Sequence, residues 1–112
     1  MSTATSQFDI YQRLGMTLAD LEDFCQRWDI AELSLFGSVL RDDFSAHSDI
    51  DILISYFPEN TKGLLDRVQI KHELEKLCGR DVDVMTKKSI EQSRNALRRR
   101  EILGSAQVIY VA

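Results

Sequence analysis

Two aspartates, Asp49 and Asp51, open a strand-like run carrying Ile50, Ile52 and Ile54. Aspartate is depleted in strands, and a carboxylate taken out of water without a partner is costly. Residues two apart on a strand share a face, with side-chain bases ~7 Å apart. The pair must therefore stay wet or be neutralised, and a small divalent cation suits two converging carboxylates. Just upstream, an apolar run from Leu33 to Phe36 ends in Gly37-Ser38. A strand, a Gly-Ser turn and a second strand that starts with acids form the centre of the chain.

The remaining elements follow from periodicity and punctuation. Phe8 to Leu14 has helical character and stops at Gly15, after a frayed tail over Met1 to Ser6. Thr17 with Asp20 three residues on is a capping pair. It opens a helix whose stripe of Leu18, Leu21, Phe24, Cys25 and Trp28 is expected in the core. Ile30 to Phe36 is the first strand, Val39 to Asp43 a short helix or helical turn, and Asp49 to Phe57 the second strand, closed by Pro58. Asn60 or Thr61 can cap a helix from Gly63 to Cys78, with Leu64, Leu65, Val68, Leu74 and Leu77 as its apolar face and Gly79 as its stop. Asp81 to Met85 is a third strand, Lys87 to Arg100 a long helix capped by Ser89, and Gln107 to Val111 a last strand.

This order predicts an α+β fold, a mixed sheet with helices packed mainly on one face. Parity places Ile50, Ile52 and Ile54 on one face and Asp49, Asp51 and Ser55 on the other. Val82 and Val84 likewise oppose Asp81, Asp83 and Met85. Each strand thus has an aliphatic face for helices and a carboxylate face that stays wet or metallated. Residues 1–16 form an N-terminal extension and 17–112 the domain. A chain of 112 residues with 44% hydrophobic content suffices for one core. The net charge of −4 argues against coating nucleic acid, so no direct nucleic-acid partner is expected. Cys25 and Cys78 lack neighbours at ligand spacing and read as free thiols in a reducing compartment. No apolar run approaches the ~20 residues of a membrane span, and the first residues lack a signal-peptide pattern. A cytoplasmic location follows as the expectation.

If the third strand pairs with the second, Asp83 can join Asp49 and Asp51. Three carboxylates can hold two magnesium ions, an arrangement suited to in-line attack on phosphorus. Gly37 lets a phosphate approach the backbone, Ser38 can donate to its oxygens, and Arg41 adds a forked cation.

The combination Leu35-Phe36-Gly37-Ser38-Val39-Leu40-Arg41 with Ser48-Asp49-Ile50-Asp51-Ile52-Leu53 resembles the signature of the nucleotidyltransferase superfamily that includes DNA polymerase beta. The small size resembles its minimal branch, and the closing segment from Arg99 to Ala112 looks like the tail of the MNT antitoxins of HEPN/MNT toxin–antitoxin pairs. The resemblance implies the polymerase beta-like fold, with ATP as substrate, magnesium as cofactor and release of pyrophosphate. It implies AMP transfer to a tyrosine of a partner HEPN ribonuclease, which is thereby silenced. It further implies that Gly37 and Ser38 contact the nucleotide phosphates and that Asp49, Asp51 and Asp83 are catalytic metal ligands, Asp83 also serving as a base for the acceptor hydroxyl. The alternatives are an antitoxin acting by occlusion alone and an enzyme acting on a small hydroxyl-bearing molecule. Outside this set, His47 and His72 read as solvated, and Tyr56 and Phe57 as core or nucleotide-pocket residues. Lys87, Lys88, Arg94, Arg98, Arg99 and Arg100 form a basic patch, either solvated or facing a partner.

Overall fold

The computed structural model describes residues 7–59 and 63–112. Its elements run α1 (Gln7–Leu14), α2 (Leu18–Arg27), β1 (Ile30–Phe36), a 3-10 turn (Gly37–Leu40), β2 (Ile50–Tyr56), α3 (Leu64–Cys78), β3 (Val82–Thr86), α4 (Lys87–Glu91), α5 (Ala96–Ser105) and β4 (Gln107–Val111). The expected tail over residues 1–6 and the expected cap at residue 60 or 61 lie outside the described residues.

Among the described residues the sheet has four strands in the order β3-β2-β1-β4. β1 runs antiparallel to both β2 and β4, whereas β2 and β3 are parallel. Parallel neighbours need a long crossover, and α3 supplies it. The sheet is therefore mixed and the class α+β, as the element order implies.

Strand parity decides what the helices cover. Leu33 and Leu35 of β1, Ile50, Ile52 and Ile54 of β2, and Val82 and Val84 of β3 pack with Ile10, Leu14, Leu21, Phe24, Ile70 and Leu74. α1, α2 and α3 thus cover one face, and burying each such side chain stabilises the fold by about 1.5–3 kcal/mol. The opposite face is not wholly wet. Phe36, Leu53, Ile90 and Ile102 form a smaller cluster there, with Met85 and Leu103 against it. Leu53 and Met85 lie two residues along from Asp51 and Asp83, so α4 and α5 cover the middle of that face and leave the carboxylates at its end.

The capping pair of α2 forms as expected, with Thr17 and Asp20 exchanging side-chain-to-backbone bonds of 3.1 Å each. Other helix expectations change. In α3 the core residues are Ile70 and Leu74, while Leu64, Leu65 and Val68 are 64%, 79% and 41% exposed. At about 100° per residue those three point roughly 120–160° away from Ile70 round the helix axis. Of the expected stripe, Leu74 and Leu77 lie on the face of Ile70, which that stripe left out, whereas Leu64, Leu65 and Val68 belong to another face. In α2, Leu18 is likewise exposed, while Leu21, Phe24 and Cys25 are buried.

The long helix over Lys87 to Arg100 is two helices. Ser93 closes a turn onto Ile90 O at 3.0 Å, and the Asn95 N–H donates to Ser93 Oγ at 3.2 Å. Such local side-chain bonds compete with helical ones. The caps are Thr86, which accepts the Ser89 N–H at 3.1 Å, and Asn95, which accepts the Arg98 N–H at 3.0 Å. Ser89 is therefore the donor to a cap. The helical turn after β1 also starts earlier than expected, at Gly37, and ends at Leu40. Cys25 is buried and Cys78 half-buried, both free; burial pushes the Cys25 thiol up to about 12 and the Cys78 thiol up to about 11. No helix among the described residues is long and apolar enough to cross a membrane.

Truncation separates the two faces of α3. Leu74→Ala should cost about 2–5 kcal/mol in urea unfolding, whereas Leu65→Ala should stay within about 0.5 kcal/mol of the parent. Equal losses would contradict this burial pattern.

Candidate active site at the end of the β2–β3 pair

β1 delivers the chain into Gly37, whose φ is +77°. The register sets Phe36 opposite Asp51, so the turn folds directly over that carboxylate. A Cβ on Gly37 would lie 2.3 Å from Asp51 Oδ2. Glycine is needed here twice over, for its backbone conformation and for the carboxylate beneath it.

Asp51 and Asp83 are register partners in the parallel pair, side by side on one face at the ~4.8 Å spacing of adjacent strands. Asp49 lies two residues upstream and is exposed, as is Asp83, while Asp51 is half-buried. Burial raises the Asp51 pKa above its ordinary 3.8, and the charges of Asp83 and Asp49 raise it further, with Arg41 opposing. The three acids therefore share a field that the fold leaves short of positive charge. Arg41 itself is exposed and paired with Asp43 at 3.1 Å.

As they stand, no group of three His, Cys, Asp or Glu side chains among the described residues is gathered tightly enough to hold an ion. The donor chemistry nonetheless fits a hard cation. All three groups are carboxylates, two are exposed and free to turn toward Asp51, and Asp51 is already penalised for its charge.

The structure adds residues that motif reading passed over. Arg13 of α1 donates through Nη1 to Val39 O and Arg41 O, both at 2.8 Å. Arg80, just after α3, donates through Nη1 to Ser45 O and Ser48 O, both at 3.0 Å. Their guanidinium carbons lie 5.3 and 4.5 Å from the centroid of the Phe44 ring. Two cations thus grip the connection from Ser38 to Asp49 through its carbonyls and share one aromatic ring. On β3, the Val82 N–H donates to Glu75 Oε2 at 3.1 Å, and Lys71 Nζ donates to Val82 O at 2.9 Å. The Val82 N–H and the Lys71 ammonium hold the Glu75 carboxyl below its usual range. The connection from Ser38 to Asp49 and the start of β3 are therefore each tied by side chains from other elements. The local signal for Arg13 and Arg80 was slight: each lies beside a helix-ending glycine, where a basic residue suits the helix dipole anyway.

Other candidates fall elsewhere. Tyr56 and Phe57 line a cavity of about 360 Å³ with Thr86, Lys88 and Glu91. It lies at the far end of β2, five residues or ~17 Å from Asp51. His47 and His72 are exposed. The basic patch disperses: Lys87 pairs with Glu32 at 3.4 Å, Arg98 reaches Met85 Sδ at 3.6 Å, and Arg99 bonds to Ser93 O.

Residues 21–109 match the model of the nucleotidyltransferase domain family. A Methanocaldococcus jannaschii protein assigned as a protein adenylyltransferase is 44% identical over 61 residues, which is 54% of this chain and 63% of that protein. The protein adenylyltransferase MntA of Thermococcus cleftensis is 32% identical over 73 residues, 65% of this chain and 72% of its own length. The chain spans less than two thirds of the length of the first relatives. A solved structure assigned as a minimal nucleotidyltransferase superposes with a TM-score of 0.63 at 27% identity, covering 92% of this chain and 98% of the other. A chain from the complex of tri-AMPylated Shewanella oneidensis HEPN toxin with MNT antitoxin shares the fold, with a TM-score of 0.58 at 17% identity over 84% of this chain and 69% of that one.

The raised Asp51 pKa fixes the sign of a pH effect. A carboxyl whose folded value lies above its unfolded one contributes stability while protonated, and loses that contribution as pH rises through the folded value. At pH 7 without divalent cations, Asp51→Asn should therefore melt above the parent, and the gap should close below the ordinary value of 3.8. A variant that melts below the parent at pH 7 would contradict the assigned repulsion.

Proposed function

The chain belongs to the nucleotidyltransferase domain family, and from that premise we propose that it transfers AMP from ATP to a tyrosine of a HEPN-type ribonuclease and so silences it. The observation that carries this is the alignment of Asp51 with Asp83 on one face, beneath a glycine turn that ends β1. The protein adenylyltransferase MntA supports the choice of AMP as the transferred group. The fold shared with a complex of an AMPylated HEPN toxin and an MNT antitoxin supports the choice of partner and the antitoxin role.

Asp49, Asp51 and Asp83 would hold magnesium, which when bound supplies the charge that lets phosphates lie beside carboxylates. Gly37 exposes its backbone so that a phosphate can approach closely, and the Ser38 hydroxyl can donate to it. Arg41 is solvent-facing and can turn from Asp43 to the same oxygens. The acceptor oxygen bonds to the α-phosphorus, the bond to the bridging oxygen breaks, and pyrophosphate leaves. Asp83, exposed beside Asp51, takes the proton from the acceptor hydroxyl.

A second reading has one observation in its favour. Leu64, Leu65 and Val68 of α3 are exposed although they are apolar, as expected of an antitoxin that works by covering its partner. One experiment separates the two. With ATP labelled on the α-phosphate, magnesium and the partner protein, the parent should label the partner. Asp49→Asn with Asp51→Asn should leave no detectable label, and Asp83→Asn should slow labelling by roughly 10²–10⁴-fold. Full labelling by the double variant sinks the transfer mechanism. A double variant that cannot label yet still blocks the ribonuclease establishes occlusion.

A further inference from the structure

In-line transfer sets the acceptor oxygen, the α-phosphorus and the leaving oxygen in a row. On the transfer reading, on which this inference rests, the leaving pyrophosphate belongs at Gly37-Ser38, at the end of β1. β2 with Asp51 comes next, and β3 with Asp83 is the outer strand. The acceptor must then arrive from beyond β3. A cavity of about 210 Å³ opens there, lined by Leu64, Arg67, Val68, Lys71, Asp83 and Val84.

That groove has the character of a binding surface. Leu64 and Val68 are 64% and 41% exposed although they are apolar, and nothing among the described residues covers them. Lys71 is committed to Glu75 and Val82 O, whereas Arg67 has no ion pair among the described residues. The N–H and C=O of Val82 are taken up by α3 side chains. Strand alternation turns the next outward backbone groups, those of Val84, toward the groove. Exposed apolar side chains beside a free strand edge suit an extended protein segment.

We propose that the groove between α3 and the outer edge of β3 receives the acceptor-bearing segment of the partner protein. That segment sets apolar side chains against Leu64 and Val68, a carboxylate against Arg67, and its hydroxyl at Asp83. The hydroxyl oxygen bonds to the α-phosphorus, its proton passes to Asp83, and the electron pair of the broken bond leaves on pyrophosphate.

The test uses the full chain, the separately purified HEPN-type partner and α-labelled ATP, and measures labelling rate against partner concentration. Leu64→Asp introduces an acid in the first turn of α3, where the helix dipole favours it, and Arg67→Glu reverses the free charge. Each should raise the KM for the partner by about tenfold or more, a loss of about 1.4 kcal/mol, with the saturated rate held. Arg67→Lys should recover most of the loss. Leu97→Asp, on the equally exposed Leu97 of α5, should change nothing. Unchanged KM in both groove variants, a fall in saturated rate alone, or an equal effect of Leu97→Asp would overturn the proposal. If the parent labels nothing, the transfer reading falls instead. Direct binding of the partner then decides the groove: about tenfold weaker binding by Leu64→Asp supports it, and unchanged binding overturns it.

Discussion

Everything at this end of the molecule depends on the register of one parallel strand pair. It aligns Asp51 with Asp83, and like charges side by side on neighbouring strands repel. The fold meets that cost with apolar burial elsewhere. Ile50, Ile52 and Ile54 alternate with Asp51 and are sealed beneath α1, α2 and α3. A slip of one residue would send the isoleucines to the open face and the aspartates to the core, so the register that positions the acids is the one that the core enforces. α3 secures the same alignment, since it bridges β2 to β3 and binds both backbone groups of Val82.

The connection from Ser38 to Asp49 is held in another way. It lies outside the strand ladders and has only local turn bonds of its own, such as those from the Phe44 N–H to Arg41 O and from the Ser48 N–H to Ser45 O. Arg13 and Arg80 take four of its carbonyls and enclose Phe44. A guanidinium suits this task because its fixed fork can serve two carbonyls while its face lies on a ring. One arginine acts next to the Gly-Ser turn and the other next to the start of β2, so both ends of the connection are fixed. Asp49 follows Ser48 directly and takes its position from that grip.

The sheet and its acids were legible because strand patterns are local. The isoleucine alternation gave β2 its face, and Asp83 fell into line once β3 was paired beside it. The first strand and the last have the expected bounds, Ile30–Phe36 and Gln107–Val111. The helices were less legible. Leu64, Leu65 and Val68 looked like core because they are apolar, but their angular offset from Ile70 depends on which way the sheet faces. The break at Ser93 was hidden because Ser93 and Asn95 act through short side-chain bonds that composition does not rank. The roles of Arg13 and Arg80 were illegible for a related reason. Their targets lie 26 to 35 positions away, and main-chain carbonyls leave no mark on the sequence.

The two faces of the sheet are covered unequally, and the inequality has a consequence for access. On the face of the acids, α4 and α5 seal Leu53 and Met85 but stop short of Asp51 and Asp83. A ligand therefore cannot lie along the sheet and must meet the acids from its end or its edge. The end carries the glycine turn, where Gly37 bares its backbone over Asp51. The edge carries Asp83 and the outer rim of β3 beyond Val82, beside apolar side chains that the core does not use. Two approaches that differ in chemistry, one rich in backbone donors and one apolar, converge on a single row of carboxylates.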